Sequence, residues 1–482
     1  MATRRIGVLN LGRDARLGAP ALIALTGLAL ACSGESDSRP GAESTAELPA
    51  QPDPSTPGAG GSVVEGIDPN LPLEGGRPAP AESSSAEGCS VPTLPAYADL
   101  AEQATLPDPF LSMDGTRITG QAQWACRRAE IAAQVQEYEL GPKPPKPSIV
   151  TGALADNQLT ITAGEPDKTI DFSVEITRPE NAPAEPIPAL IMIGNSGLAP
   201  VFASHGVATI RFNNGEMGAQ GNASQPDGSY SNTRGQGKFF ELYGADHGAG
   251  SMMAWAWGVS RIIDALESTP EANIDTKRLA VSGCSRNGKG ALVVGAFDER
   301  ISFTVPQESG AGGSASWRVS QFQMDEYKAT VNPMPMGGEG IQTLSSASGE
   351  QPWFRASFSQ FSQSVNLLPF DHHMVLGLVA PRALFVIDNT DMMWLGNVSS
   401  FTDTVAAAEI WTGLGVQGAM GGSQVGGHNH CTDVPQAQLD ELGAYIDKFL
   451  VGAGTADTNV LRSDQIMPDR ARWMAWATPT LE

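Results

Sequence analysis

The sequence predicts an α/β fold: a mostly parallel sheet with an antiparallel hairpin at its N-terminal edge and crossover helices on both faces. Short, wholly apolar runs recur through the middle of the chain, helical patterns or long loops separate them, and two alternating runs come first. Runs of that kind suit strands buried on both sides, and the separations suit crossovers.

The alternating runs are Gln158–Ala163 and Ile170–Thr177, joined by turn residues as an edge hairpin requires. The apolar runs that follow are Ala189–Ile193, Val207–Phe212, Arg278–Ser282, Ile301–Val305 and Arg382–Ile387. One helix is expected where Trp255, Val259, Ile262, Ile263 and Leu266 share a face, and another where Leu439, Leu442, Ile446, Phe449 and Leu450 do. Segments 213–250 and 309–370 are long and Gly/Ser-rich, too irregular for scaffold, and read as loops that build a binding surface. No internal repeat is assigned.

Domain organisation follows from composition. Arg4, Arg5, Arg13 and Arg16 precede an apolar run from Ala19 to Ala31, too short to span a membrane as a mature helix, so residues 1–31 read as an export signal. Leu28-Ala29-Leu30-Ala31-Cys32 also resembles a lipobox, which would make Cys32 an acylated first residue; the alternative is ordinary cleavage with Cys32 left as a stray thiol. Residues 32–87 are rich in Pro, Gly, Ser, Ala, Glu and Asp and read as a disordered tether. Residues 88–482 are long enough for one large α/β domain.

The formal charge is −23, and it falls by three more when residues 1–31, with four Arg and one Asp, are removed. Nucleic acid is excluded as a partner on that balance. Five cysteines leave four if Cys32 carries lipid, the arithmetic of two disulfides in an exported chain. Cys284 and Cys431 each adjoin a candidate catalytic residue, so Cys89–Cys126 with Cys284–Cys431 is the economical pairing, buried free thiols being the alternative.

The chemistry centres on Leu279-Ala280-Val281-Ser282-Gly283-Cys284-Ser285-Arg286-Asn287-Gly288-Lys289-Gly290, a strand passing through a small-residue turn into a helix. Such an elbow exposes Ser285 as a nucleophile and turns the Arg286 N–H towards a developing oxyanion, which is the α/β-hydrolase arrangement. The second glycine of G-x-S-x-G is Asn287 here, with Gly288 following, so a helix N-cap serine is the competing reading. Among the six histidines, His428 and His430 lie just before the C-terminal amphipathic helix, where this fold carries its base. His372 and His373 read as cleft wall or as members of a structural hydrogen-bond network. The acid stays open between Glu308, after the 301–305 strand, and Asp388 or Asp391, after the 382–387 strand; the later pair is favoured by topology alone.

From about Leu106 to Leu450 the chain resembles the glucuronoyl esterases, which cleave the ester joining glucuronic acid on xylan to lignin alcohols. The markers are Leu106-Pro107-Asp108-Pro109-Phe110, Tyr138-Glu139-Leu140-Gly141 before Lys143-Pro144-Pro145, the Gly283-Cys284-Ser285-Arg286-Asn287-Gly288-Lys289 elbow, Gln307-Glu308-Ser309-Gly310, Leu368-Pro369-Phe370-Asp371-His372-His373 and His428-Asn429-His430-Cys431. The resemblance implies Ser285 as nucleophile, His430 as base, Glu308 as acid and Arg286 as oxyanion stabiliser. It also implies that Lys289, Gln342, Glu350 and Trp394 hold the uronate. One departure is Ser316, where fungal members carry a cysteine of a third disulfide.

The expected activity is two-step acyl transfer on esters of 4-O-methyl-glucuronic acid, by a monomer with no cofactor and no metal. The expected location is outside the cell, with membrane contact only through lipid on Cys32. An acetyl xylan or feruloyl esterase is the enzymatic alternative, and a carbohydrate-binding lipoprotein without activity is the alternative of another class.

Overall fold

A computed structural model describes residues 81–83, 88–221, 223–224, 230–330, 340–349 and 352–482. The export signal, Cys32, most of the tether and Glu350 lie outside the described residues. Twelve strands are described: β1 (Ile149–Ala155), β2 (Gln158–Glu165), β3 (Lys168–Thr177), β4 (Ile187–Ile193), β5 (Ala208–Phe212), β6 (Ala223–Ser224), β7 (Tyr230–Ser231), β8 (Ile274–Cys284), β9 (Ile301–Gln307), β10 (Ala383–Asp388), β11 (Met420–Gln424) and β12 (Leu461–Ser463). Ten of them form one sheet in the order β1-β2-β3-β5-β4-β8-β9-β10-β11-β12, and β6 and β7 pair separately.

β1, β2 and β3 are antiparallel, β3 joins β5 antiparallel, and every pair from β5 to β12 is parallel. This is the expected α/β-hydrolase sheet with one more edge strand than the hairpin reading allowed. β1 lacks a strong apolar alternation because Gly152 packs where a Cβ would meet Thr269 Oγ1 at 2.4 Å.

Helices cover both faces. Ser251–Glu267, Arg286–Phe297 and Asn397–Gly413 lie on one side, Ala199–Ser204 and Gln436–Ile446 on the other. The 251–267 helix corrects the single-face expectation: every residue from Ser251 to Leu266 is buried, so it is held between the sheet and a further layer. Part of that layer comes from segment 213–250, read as loop: the Phe239 and Tyr243 rings meet Trp257 with centroids 5.7 and 5.5 Å apart. Trp317 and Phe358 are fully buried, with ring centroids 5.5 Å apart, and Phe354 lies 5.6 Å from Trp317. Segment 309–370 therefore has its own aromatic core, and the helix Trp317–Thr330 within it, rather than being surface loop throughout.

Candidate active site

Three strand ends build the site. β8 stops at Cys284, and Ser285 follows with φ 61° and ψ −129°, a conformation costly for a residue with a Cβ and typical of a strained functional turn. Ser285 occupies the N-cap position of the helix Arg286–Phe297, yet its side chain makes no capping hydrogen bond. That removes the simple N-cap reading. The turn is this tight because Gly283 and Gly288 allow it: a Cβ on Gly283 would stand 2.5 Å from the Asn287 carbonyl oxygen, and one on Gly288 2.7 Å from that of Gln307. Gly288, not position 287, thus does the work of the second glycine in the usual motif. The Ser285 N–H donates to the Gln307 carbonyl at 3.0 Å, and the Arg286 N–H, first in its helix, has no partner within the helix.

β9 ends at Gln307, and the next residue, Glu308, is fully buried with φ 42°. Its N–H donates to the Ile387 carbonyl of β10 at 2.7 Å, which fixes the backbone from which the carboxylate is presented. Glu308 Oε2 lies 2.8 Å from His430 Nδ1, while Oε1 accepts from the Cys431 N–H at 3.1 Å and from Gln307 Nε2 at 3.3 Å. A carboxylate on Nδ1 selects the tautomer with its proton there and leaves Nε2 basic. His430 Nε2 is buried with no hydrogen-bond partner among the described residues, so it makes no hydrogen bond to the Ser285 hydroxyl here.

His430 follows β11 on a loop secured by the Cys284–Cys431 bridge, whose Cα atoms are 5.8 Å apart. This disulfide joins the residue before Ser285 to the residue after His430. The second bridge, Cys89–Cys126, pins the start of the domain to the helix Gln121–Val135, so both expected pairings are present.

The other acids are engaged elsewhere. Asp388, at the end of β10, is buried and takes the Ser400 hydroxyl; burial pushes its carboxyl up to about 7, with the Glu308 charge adding to the rise. Asp391 is exposed and accepts the Gly427 N–H at 2.6 Å, organising the histidine loop from outside. His428 hydrogen-bonds to loop carbonyls and reaches Glu308 only at 4.0 Å.

The residues expected to hold a sugar lie around this centre. Lys289 is 1% exposed: its Nζ donates to the Ser309 and Ala311 carbonyls and, at 3.3 Å, to Gln342 Oε1. The lysine therefore fastens the loop after Glu308 and orients Gln342, whose amide nitrogen is left to face other partners. Gln342 N–H donates to the Trp394 carbonyl at 2.8 Å, and the half-buried Trp394 ring meets the His430 ring edge-on at 5.2 Å. Arg286 is exposed, its guanidinium 5.4 Å from the centre of the Trp353 ring.

Two site residues escaped the sequence reading. Gln307 braces both the Ser285 amide and the Glu308 carboxylate, and Trp353 supports Arg286. Gln307 stands within the quoted Gln-Glu-Ser-Gly run, but its type alone gave no signal. His372 and His373 prove structural: His372 is buried between the Gly313 carbonyl and Glu139, and His373 bonds the Pro107 carbonyl.

Fold and elbow together define a hydrolase of the α/β-hydrolase class. The model of the fungal glucuronyl esterase family matches residues 161–415. The 4-O-methyl-glucuronoyl methylesterase of Hypocrea jecorina (strain QM6a) is 46% identical over 398 residues, 83% of this chain and 81% of the relative. That of Podospora anserina is 45% identical over 381 residues, 78% of this chain and 74% of the relative. Among solved structures, the Hypocrea jecorina glucuronoyl esterase catalytic domain superposes with TM-score 0.72 at 46% identity, covering 81% of this chain and 100% of that one. A mutant glucuronoyl esterase from Sporotrichum thermophile, in complex with methyl 4-O-methyl-β-D-glucopyranuronate, gives 0.72 at 43% identity over 82% of this chain and 100% of that one. The chain belongs to the glucuronoyl esterase family, whose members are carboxylic ester hydrolases.

Proposed function

We propose that this chain hydrolyses the ester between 4-O-methyl-glucuronic acid of glucuronoxylan and lignin alcohols, with Ser285 as nucleophile, His430 as base and Glu308 as the acid that orients it. The observation that carries the reading is the 2.8 Å Glu308–His430 contact held next to the Ser285 elbow by the Cys284–Cys431 bridge. Ser285 Oγ attacks the C6 carbonyl while His430 Nε2 takes its proton, and the Arg286 N–H and guanidinium receive the negative charge that develops on the carbonyl oxygen. Collapse expels the alcohol with the proton from His430. Water then repeats the sequence on the acyl-enzyme and releases the free uronate. Lys289 orients Gln342 towards the uronate hydroxyls, Glu350 joins them, and Trp394 covers the ring. The test is methanol release from methyl 4-O-methyl-glucuronate by the wild type and by Ser285→Ala, which should have no measurable turnover; residual turnover within tenfold of the wild type would remove Ser285 from the mechanism.

Export through residues 1–31, acylation of Cys32 and a tether from Cys32 belong to the same proposal. Incorporation of labelled fatty acid, lost in Cys32→Ala, tests the anchor.

A further inference from the structure

A second charged site lies away from the catalytic loops. The helix Arg286–Phe297 starts at Ser285 and ends about 18 Å along its axis, at Phe297, whose carbonyl accepts from Lys143 Nζ at 2.7 Å. Lys143 also donates to Ser260 Oγ at 2.8 Å. Beside it, Arg261 donates through Nε to Asp264 at 2.7 Å, and Arg300 bonds both Asp264 and Asp298 at 2.7 Å. These five side chains are at most 8% exposed.

Buried ions need compensation, and this set holds three cations against two carboxylates; at its exposed rim Lys146 reaches Asp264 at 3.2 Å and Glu267 reaches Arg300 at 3.6 Å, one charge of each sign that leaves the balance unchanged. One positive charge is left over. Glu82 supplies the missing carboxylate: Oε1 lies 2.8 Å from Lys143 Nζ, and Oε2 takes Arg261 Nη2. Ala81 and Ser83 on either side are exposed, so of these three described residues Glu82 is the one drawn into the protein. A cleft of about 410 Å³ adjoins the contact, lined by Glu82, Arg128, Lys143, Lys146, Phe297 and Glu299 among others. Arg261 keeps a buried Nη1 donor without a hydrogen-bond partner among the described residues, so the guanidinium has not spent its donors on Asp264 and Glu82.

We propose that Lys143 and Arg261 form a carboxylate-binding site remote from the catalytic centre, filled in cis by Glu82, which makes Ala81–Ser83 a latch of the esterase domain rather than free tether. Composition could not reveal it, because one glutamate in a Pro/Ser/Ala-rich stretch looks like any other. Burial pulls the Lys143 ammonium below its ordinary value, and the Asp298 and Glu82 carboxylates oppose that fall, so Glu82 helps to keep the lysine charged.

The experiment uses the full exported chain with Glu82→Ala and Glu82→Gln, melted in sodium chloride and then in sodium acetate at equal ionic strength. Both variants should melt at least about 2 °C below the wild type. Acetate should raise the Tm of Glu82→Ala and leave the wild type unmoved, since only the variant has an empty site. Turnover of a glucuronate ester should be unchanged in all three. A wild-type Tm in Glu82→Ala would overturn the latch. A wild-type Tm in Glu82→Gln, a drop that acetate does not restore, or equal acetate effects on variant and wild type would overturn the carboxylate site.

Discussion

Replacing Glu308 by glutamine tests how the base is held. Glu308 Oε1 takes two donors, the Cys431 N–H and Gln307 Nε2, while Oε2 faces His430 Nδ1. Glutamine has one acceptor oxygen, and the two donors at the Oε1 position hold it there. Its NH₂ then stands at the Oε2 position, against Nδ1. The ring can accept that donor only by moving its own proton to Nε2, which stops it from taking the Ser285 proton. A carboxylate-to-amide change that imposes the wrong tautomer costs about 10²–10⁴-fold in kcat/KM, or roughly 3–5 kcal/mol of transition-state stabilisation. KM should change little, because the amide does not touch the substrate. Folding should persist, since shape is kept and a buried charge is removed. The assay is kcat/KM on benzyl glucuronate beside a thermal melt, with Asp391→Asn as comparator; that variant should keep more than about a tenth of wild-type activity because Asp391 only braces the Gly427 amide. The reverse ranking, or equal losses, would refute the assignment of Glu308.

Three further outcomes follow from the same structure. Peptide mapping without reduction should recover Cys284 linked to Cys431; closing that loop of 147 residues is worth about 5 kcal/mol by chain entropy, so the double serine variant should melt far below the wild type, whereas free thiols at both positions would show that packing alone holds the histidine loop. Asp388 binds its proton up to about pH 7 in the folded state but only to the ordinary carboxylate range when unfolded, so it lowers stability as pH rises from about 4 to 7. Asp388→Asn should therefore gain a few kcal/mol over the wild type at pH 8 and almost nothing at pH 4, and a gain independent of pH would contradict this. His372 has acceptors on both ring nitrogens, which favours the doubly protonated ring; burial opposes that charge, but Glu139, Asp371 and the Gly313 carbonyl outweigh it and raise the pKa. The stability it contributes is complete below the ordinary histidine value and is lost as pH climbs through the raised one, so the alkaline fall in Tm should be shallower in His372→Gln than in the wild type.

The parts of the site that the sequence made legible are those where chemistry forces local pattern. Ser285 needs a strand, a turn without bulk and a helix, and that succession is visible in Leu279–Gly290 without any structure. His430 could be narrowed from position, being one of two histidines before the last amphipathic helix. The acid could not, since Glu308 and Asp388 follow neighbouring strands and only the side chain's aim separates them. β11 was missed because its sequence, Met-Gly-Gly-Ser-Gln, carries no strand signal. The glycines are there for packing: a Cβ on Gly421 would meet Tyr445 Oη at 2.2 Å, and one on Gly422 would meet Thr404 Cγ2 at 2.4 Å. The burial of Lys289 was not legible either, because the Ser309 and Ala311 carbonyls that close over it come from a separate loop and leave no local pattern. The aromatic core of segment 309–370 is assembled from residues too far apart in sequence to show a period.

The most direct test of the central claim sets three substrates side by side with the purified chain: benzyl 4-O-methyl-glucuronate, acetylated xylan and a feruloyl ester. Specific hydrolysis of the glucuronate ester, exceeding the other two by at least about 10²-fold in kcat/KM, is the expected result, because sites whose buried polar groups match a substrate's hydroxyls discriminate strongly against ligands that lack them. Faster turnover of acetylated xylan than of any glucuronate ester would contradict it.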